Sequence, residues 1–272
     1  KVNLLDVPDN NSQNRNELAD QAIKRLLKIK PSPLTSKKNI KLISSGNIED
    51  DLELINESDW VIEVIVEDLN IKQALYENIE TLMKDELIIS SNTSTIPILK
   101  LIEGRNEKFK SNFFITHFFN PPRYLKLLEI VSSKNSNPIF KNILKDFCDY
   151  RLGKTVIECK DSPGFIGNRI GCYLMLKGLH EGKKARNMGL SQEHIDALIS
   201  KPMGLPPTGL YGLIDLIGLD VMHSVGQNLS VNLPKNDDGL KYVFLPKAEQ
   251  MMFDNGQLGR KSGGGFYRVN KY

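Results

Sequence analysis

The sequence contains no apolar run near the roughly 18 residues that a membrane-crossing helix needs, so no transmembrane span is expected. Its four histidines (117, 180, 194 and 223) show no His-Glu-x-x-His pairing. Its three cysteines, Cys148, Cys159 and Cys172, show no metal-ligand spacing. No catalytic metal is therefore expected. An odd, sparse set of cysteines does not make a disulfide framework, and reduced core thiols in the cytoplasm are the expectation. No signal-peptide pattern, internal repeat or low-complexity segment stands out. Strong charge of one sign is missing too. A net charge of +3 is too mild to imply nucleic acid, though it suits an anionic small substrate. What remains is an ordinary globular composition, 40% apolar and 25% charged. At 272 residues the chain is long enough for two domains with separate cores.

Taken in order, the chain opens with a strand at 2–7 that carries Asp6 near its end. A polar loop, 9–16, follows. Ala19, Ala22, Ile23, Leu26 and Leu27 then recur at helical spacing, with Lys24, Arg25, Lys28 and Lys30 on the other face. A short strand is expected at 39–44, and the acidic stretch 49–53 opens a short helix. The nearly continuous β-branched run 60–66 reads as a central parallel strand buried on both faces. Ile71, Leu75, Ile79 and Leu82 mark an amphipathic helix. Strands at 87–90, 113–115 and 126–131, a helix at 137–152 and a strand at 155–159 complete this part. Strands alternating with helices indicate an α/β layer structure with a mostly parallel sheet. Beyond residue 160 the strand patterns stop and helices follow at 165–179, 192–199, 210–217, 220–229 and 245–255. The expected division is residues 1–159 as the α/β domain and 160–272 as a smaller all-α domain.

The stretch richest in chemistry is Thr116-His117-Phe118-Phe119-Asn120-Pro121-Pro122. An apolar run leads into it, and Asn-Pro-Pro stops regular structure. The histidine is expected at the rim of the sheet, held by a turn. Twelve positions later Glu129 interrupts a second apolar run, and a carboxylate there needs a partner. Together they make a general base with its orienting group. Asp6 stands where a dinucleotide-binding sheet places its ribose-binding acid. Glu67 and Lys72 either line a cofactor pocket or are a strand-end acid and an exposed helix lysine. Ser91-Asn92-Thr93-Ser94 offers hydrogen-bonding groups for a substrate oxygen, or a cap for a helix starting at Thr95. Asn168 opens the first helix of the second domain and needs a hydrogen-bonding partner. Lys261, between Arg260 and a glycine run, reads as a solvated charge more than as a ligand contact.

Taken together these residues resemble the 3-hydroxyacyl-CoA dehydrogenase family of fatty-acid β-oxidation. The resemblance rests on Ile65-Val66-Glu67-Asp68-Leu69-Asn70-Ile71-Lys72, Ser91-Asn92-Thr93-Ser94, His117-Phe118-Phe119-Asn120-Pro121, Leu127-Leu128-Glu129-Ile130, Asp161-Ser162-Pro163-Gly164-Phe165-Ile166-Gly167-Asn168-Arg169 and Gly259-Arg260-Lys261-Ser262-Gly263-Gly264-Gly265-Phe266-Tyr267. It covers nearly the whole chain and looks most like the bacterial multifunctional β-oxidation type. It implies a Rossmann-like first domain, NAD as cofactor and an acyl-CoA substrate. His117 would be the base for the 3-hydroxyl and Glu129 its orienter. Ser94 and Asn168 would bind the reacting oxygens. Asp6, Glu67, Lys72, Ser94 and Lys261 would line the NAD site, and Lys28 or Lys30 would meet the CoA phosphate. It also implies a homodimer through the helical domain and fusion or association with an enoyl-CoA hydratase. The family's first strand and glycine-rich phosphate turn would precede Asp6, and neither stands in this sequence. The competing expectation is therefore a truncated, impaired remnant or a non-enzymatic CoA-ester-binding protein. A dehydrogenase of small hydroxy acids is a third reading, against which the His117 and Glu129 pair argues.

Overall fold

The protein is seen here as a computed structural model, which describes residues 1–268. Contacts divide the chain into two units, Lys1–Asp161 and Ser162–Tyr272. In the first unit β1 (Val2–Asp6) and β2 (Ile43–Asn47) pair in parallel, with α1 (Glu17–Leu26) between them in sequence. A second sheet has five strands in the spatial order β3 (Trp60–Glu63), β4 (Ile88–Ser91), β5 (Phe113–Phe118), β6 (Leu127–Ser132) and β7 (Thr155–Cys159). Neighbours are parallel except β5 and β6, which run antiparallel. The connecting helices are α2 (Leu69–Leu82), α3 (Ile98–Leu101), α4 (Glu107–Asn112) and α5 (Pro138–Asp146). This is a Rossmann-like, mostly parallel sheet with helices, followed by a helical unit.

Local chemistry explains where the helices start. The Asp68 carboxylate accepts from the amides of Asn70 at 2.9 Å and Ile71 at 3.0 Å, capping α2. Asn106 and Asn137 do the same for α4 and α5, at 2.8 Å each. Such caps contribute about 1 kcal/mol apiece. Neither Ser91 nor Ser94 caps a helix at Thr95. The helix starts later, at Ile98, whose amide donates to the Asp161 carboxylate at 3.1 Å. Packing then fixes the layers. α2 turns Lys72, Tyr76 and Ile79 inward, and Tyr76, Phe109 and Phe113 meet with ring centroids 5.2 to 5.7 Å apart. Ile88, Phe114, Ile130 and Leu144 form a further buried cluster.

Three expectations are corrected. The run 60–66 is not the central strand: β3 stops at Glu63, and Ile62, Val64 and Val66 are exposed. Among the described residues no strand pairs with its outer edge. The strands buried on both faces are β4, β5 and β6. The strand expected at 39–44 begins at Ile43, where pairing with Val2 sets the register, and a tight 3-10 turn, Lys37–Leu42, precedes it. The basic helix ends at Leu26, so Lys28 and Lys30 lie past its end on an exposed loop.

The second unit contains α6 (Gly167–Asn187), α7 (Gln192–Leu198), α8 (Gly209–Ile217), α9 (Leu219–Asn232) and α10 (Lys247–Asp254). Cys172, Met175, Leu176 and Leu179 give α6 one buried stripe, which packs with Ile195, Tyr211, Ile214 and Met222. The opposite side of α6 exposes Ile170 and Leu174. Gly226 on α9 is required by close approach, since a Cβ there would sit 2.0 Å from the Val243 carbonyl oxygen. Among the described residues no helix is long and apolar enough to cross a membrane.

Candidate active site

His117 is the penultimate residue of β5, and its cross-strand partner in β6 is Glu129. The antiparallel register points both side chains to one face. Nδ1 of the imidazole lies 2.7 Å from Glu129 Oε2, and both side chains are buried. The histidine is thus inside the strand rather than on its rim. With the carboxylate accepting from Nδ1–H, Nε2 is the nitrogen that can take a proton. Glu129's other oxygen lies 3.6 Å from the Cys159 sulfur.

The turn after β5 is held by Asn92, from the stretch 91–94, and by two residues, Lys154 and Arg123, that sequence patterns did not single out. Asn92 accepts from the Phe118 amide at 2.9 Å, fixing the strand's last residue. Lys154, nearly buried, donates to the carbonyls of Pro122 and, at 2.8 Å, Leu125, and its ammonium lies 5.6 Å from the centre of the Phe118 ring. Arg123, on the turn, donates to the carbonyls of Pro31 at 2.6 Å and Ser32 at 2.7 Å. It therefore ties the loop that follows Lys28 and Lys30 to the turn that follows His117. The signal for Lys154 was a lone lysine beside a strand start, and nothing local told it from a solvated one.

Around the ends of β3 and β4 lies a polar cluster built on two acids. Glu67 accepts from the Thr93 hydroxyl, from the amides of Ser94 and Thr95 at 3.2 Å, and from the Thr95 hydroxyl at 2.8 Å. Burial raises its proton affinity, but those hydrogen bonds and the charge of Lys72 outweigh it and hold the carboxyl below the usual range. Lys72 is not an exposed helix lysine. It is fully buried, 2.7 Å from Glu63 Oε1 and 3.4 Å from Glu67 Oε2. Its ammonium is committed to these carboxylates, so it meets any ligand through Glu67. The Ser94 hydroxyl makes no hydrogen bond among the described residues. Asp6 is exposed at the end of β1, with one oxygen accepting from the Val7 amide at 2.8 Å.

The donor chemistry of this first unit fits part of a dinucleotide. An exposed, acceptor-only carboxylate suits ribose hydroxyls and opposes a 2′-phosphate. A glycine turn for a pyrophosphate is not among the described residues: the one glycine before Gly104 is Gly46, inside β2.

In the second unit Asn168 is half-buried on the first turn of α6. Gly164 and Phe165 just before it both take left-handed backbone, with φ of 73° and 48°. A non-glycine residue there is strained, and such strain collects at functional sites. Lys261 pairs with Asp220 at 2.6 Å, in the first turn of α9. Among the described residues no group of three or more potential ligands could hold a metal ion.

Comparison with known proteins places these features in context. Residues 1–162 match the family model for the 3-hydroxyacyl-CoA dehydrogenase NAD binding domain, and residues 164–269 match that for its C-terminal domain. A Rickettsia prowazekii protein named for a fatty acid oxidation complex trifunctional enzyme is 43% identical over 270 residues, which are 99% of this chain and 37% of that protein. A Deinococcus radiodurans protein named for a 3-hydroxyacyl-CoA dehydrogenase is 37% identical, over 99% of this chain and 76% of its own length. The crystal structure of (S)-3-hydroxybutyryl-CoA dehydrogenase from Ralstonia eutropha superposes with a TM-score of 0.79 at 28% identity, covering 100% of this chain and 91% of that one. The chain thus spans little more than a third of the length of the Rickettsia relative.

Proposed function

This chain belongs to the 3-hydroxyacyl-CoA dehydrogenase family, and from that premise we propose that it oxidises 3-hydroxyacyl-CoA to 3-oxoacyl-CoA in fatty-acid β-oxidation. The observation that carries the proposal is the buried 2.7 Å pair of His117 and Glu129. His117 Nε2 takes the proton of the substrate 3-hydroxyl as the carbonyl forms. NAD, when bound, supplies the acceptor for the hydride that leaves C3. Glu129 holds the tautomer and stabilises the imidazolium that results. The Ser94 hydroxyl hydrogen-bonds a reacting oxygen, and the Asn168 amide has the same proposed role. Asp6 accepts from the adenosine ribose. Glu67 and Lys261 belong to the NAD site, with Lys72 acting by fixing Glu67. Lys28 or Lys30, exposed on the loop that Arg123 anchors, meets CoA phosphate.

The finer setting is part of the same proposal. Work in the cytoplasm is supported by Cys148, Cys159 and Cys172 standing outside any disulfide among the described residues. Fusion or association with an enoyl-CoA hydratase is supported by the longer relative named as trifunctional. A homodimer through the helical unit is supported by the exposed apolar residues of α6.

The test is NAD reduction with 3-hydroxybutyryl-CoA against the free hydroxy acid. Turnover is expected with the thioester alone. His117→Ala is expected to lower it about 10²- to 10⁴-fold, and Glu129→Gln to lower it less, both with substrate affinity kept. Equal rates for all three proteins would remove His117 from the chemistry.

A further inference from the structure

Three neighbouring strands carry a row of polar side chains across one face of the sheet. His117 on β5 faces Glu129 on β6. In the β6–β7 ladder Glu129 lies opposite Ile157, and Val131 lies opposite Cys159. Residues two apart share a face, so Cys159 points to the same side as Glu129. Its sulfur lies 3.6 Å from Glu129 Oε1, while Oε2 of that carboxylate holds His117 Nδ1. The Ile157 carbonyl, at 3.7 Å, is a second acceptor for the thiol.

We propose that Cys159 is a positioning residue for the reaction: its thiol donates to Glu129 Oε1 and fixes the carboxylate plane that orients the His117 imidazole. The proposal rests on the reading of His117 as the base. The terminal torsion of a glutamate is broad and roughly two-fold. A carboxylate that loses a donor at one oxygen can therefore swing further, carrying the imidazole with it. A donor on the second oxygen restricts that swing. A thiol suits the place because it is small, donates weakly and tolerates burial. It restrains the carboxylate without competing with the imidazole for the charge. Standing at the end of β7, it is placed by the strand ladder rather than by a loop.

Cys159→Ala is expected to lower kcat about two- to tenfold, the effect of one modest hydrogen bond, with KM unchanged. Cys159→Ser keeps a donor and is expected to recover at least half of the loss. The Nδ1–H proton resonance of His117, observed by NMR without substrate, is expected to move in the alanine variant and return toward its original position in the serine variant. That resonance reports the His117–Glu129 bond whether or not the protein turns over an acyl-CoA. If it moves while no variant shows dehydrogenase activity, the positioning role stands and the proposed reaction fails. An unmoved resonance with unchanged kcat in Cys159→Ala overturns the positioning role. So does a loss that serine leaves unrelieved, which marks simple packing.

Discussion

Two acids, Glu63 and Glu129, sit in the same five-stranded sheet with side chains at or below 1% exposure, and their partners divide their roles. Glu63 receives Lys72 at 2.7 Å, the Tyr76 hydroxyl at 2.6 Å, the Ser91 hydroxyl at 2.7 Å and the Ile65 amide at 2.8 Å. Burial, with the charge of Glu63 beside it, pushes the Tyr76 hydroxyl far up, so it stays a donor. A carboxylate surrounded in this way has both oxygens engaged by donors of the fold. Glu129 instead faces an imidazole, the one side chain whose charge ordinarily changes near neutrality. Burial demands a partner in both cases. The kind of partner decides whether the acid holds the fold or, as proposed for Glu129, orients a base.

The largest effect that separates the two is expected on the Glu63 side. Lys72→Met leaves Glu63 buried without its cation, and breaking such a pair costs about 3–5 kcal/mol. Urea unfolding of the purified protein should show this loss. Adding Glu63→Gln to Lys72→Met should recover much of it, because the charge that was stranded is gone. Glu129→Gln, already given, is expected to lower turnover and leave the unfolding midpoint nearly in place. If Lys72→Met unfolds at the wild-type midpoint, Glu63 is not the structural acid drawn here. A smaller effect tests the frame around His117. Lys154→Met strips two carbonyls of the turn of their charged donor and is expected to cost about 1–3 kcal/mol. It should also lower kcat, since Phe118 and the turn follow His117 directly. Wild-type unfolding and wild-type kcat together would remove Lys154 from the frame that holds His117.

The same contrast shows what could be read from residues alone. His117 and Glu129 were legible because each is a polar residue inside an apolar run, and an unbroken strand period brings such residues together. Asp6 was legible as an acid closing a strand. Glu63 was not. It stands in the most β-branched run of the chain, which suggested a fully buried central strand, yet β3 lies at an edge and Ile62, Val64 and Val66 face outward. Strand order is a tertiary fact, and hydropathy does not carry it. Lys72 reads from sequence as either a pocket lysine or an exposed one, and neither reading places it in a buried ion pair with Glu63. It shares a helix face with Tyr76 and Ile79, and only a carboxylate waiting on the sheet makes that face tolerable for an ammonium. Lys154 and Arg123 act on carbonyls some 30 and 90 positions away, and such partners leave no local pattern.

An exposed acid provides the smallest effect and the control for the other two. Glu158 on β7 accepts from Lys141 at 2.8 Å and Lys145 at 2.9 Å. Those hydrogen bonds hold its carboxyl down to about 2. A carboxylate whose affinity for protons is depressed by folding contributes stability above its unfolded pKa, near 4.5, and loses it as pH falls toward 2. The side chain is 41% exposed, so water and salt screen the pair and the contribution should stay under about 1 kcal/mol. Glu158→Gln is therefore expected to lower stability slightly at pH 7, less in high salt, and to match the wild-type protein as pH falls through this window. Unfolding curves at pH 7 and pH 3, with and without added salt, measure this. A loss at Glu158 as large as that from Lys72→Met would mean that burial does not set the worth of these ion pairs, and the distinction between Glu63 and Glu129 would then have to rest on kinetics alone.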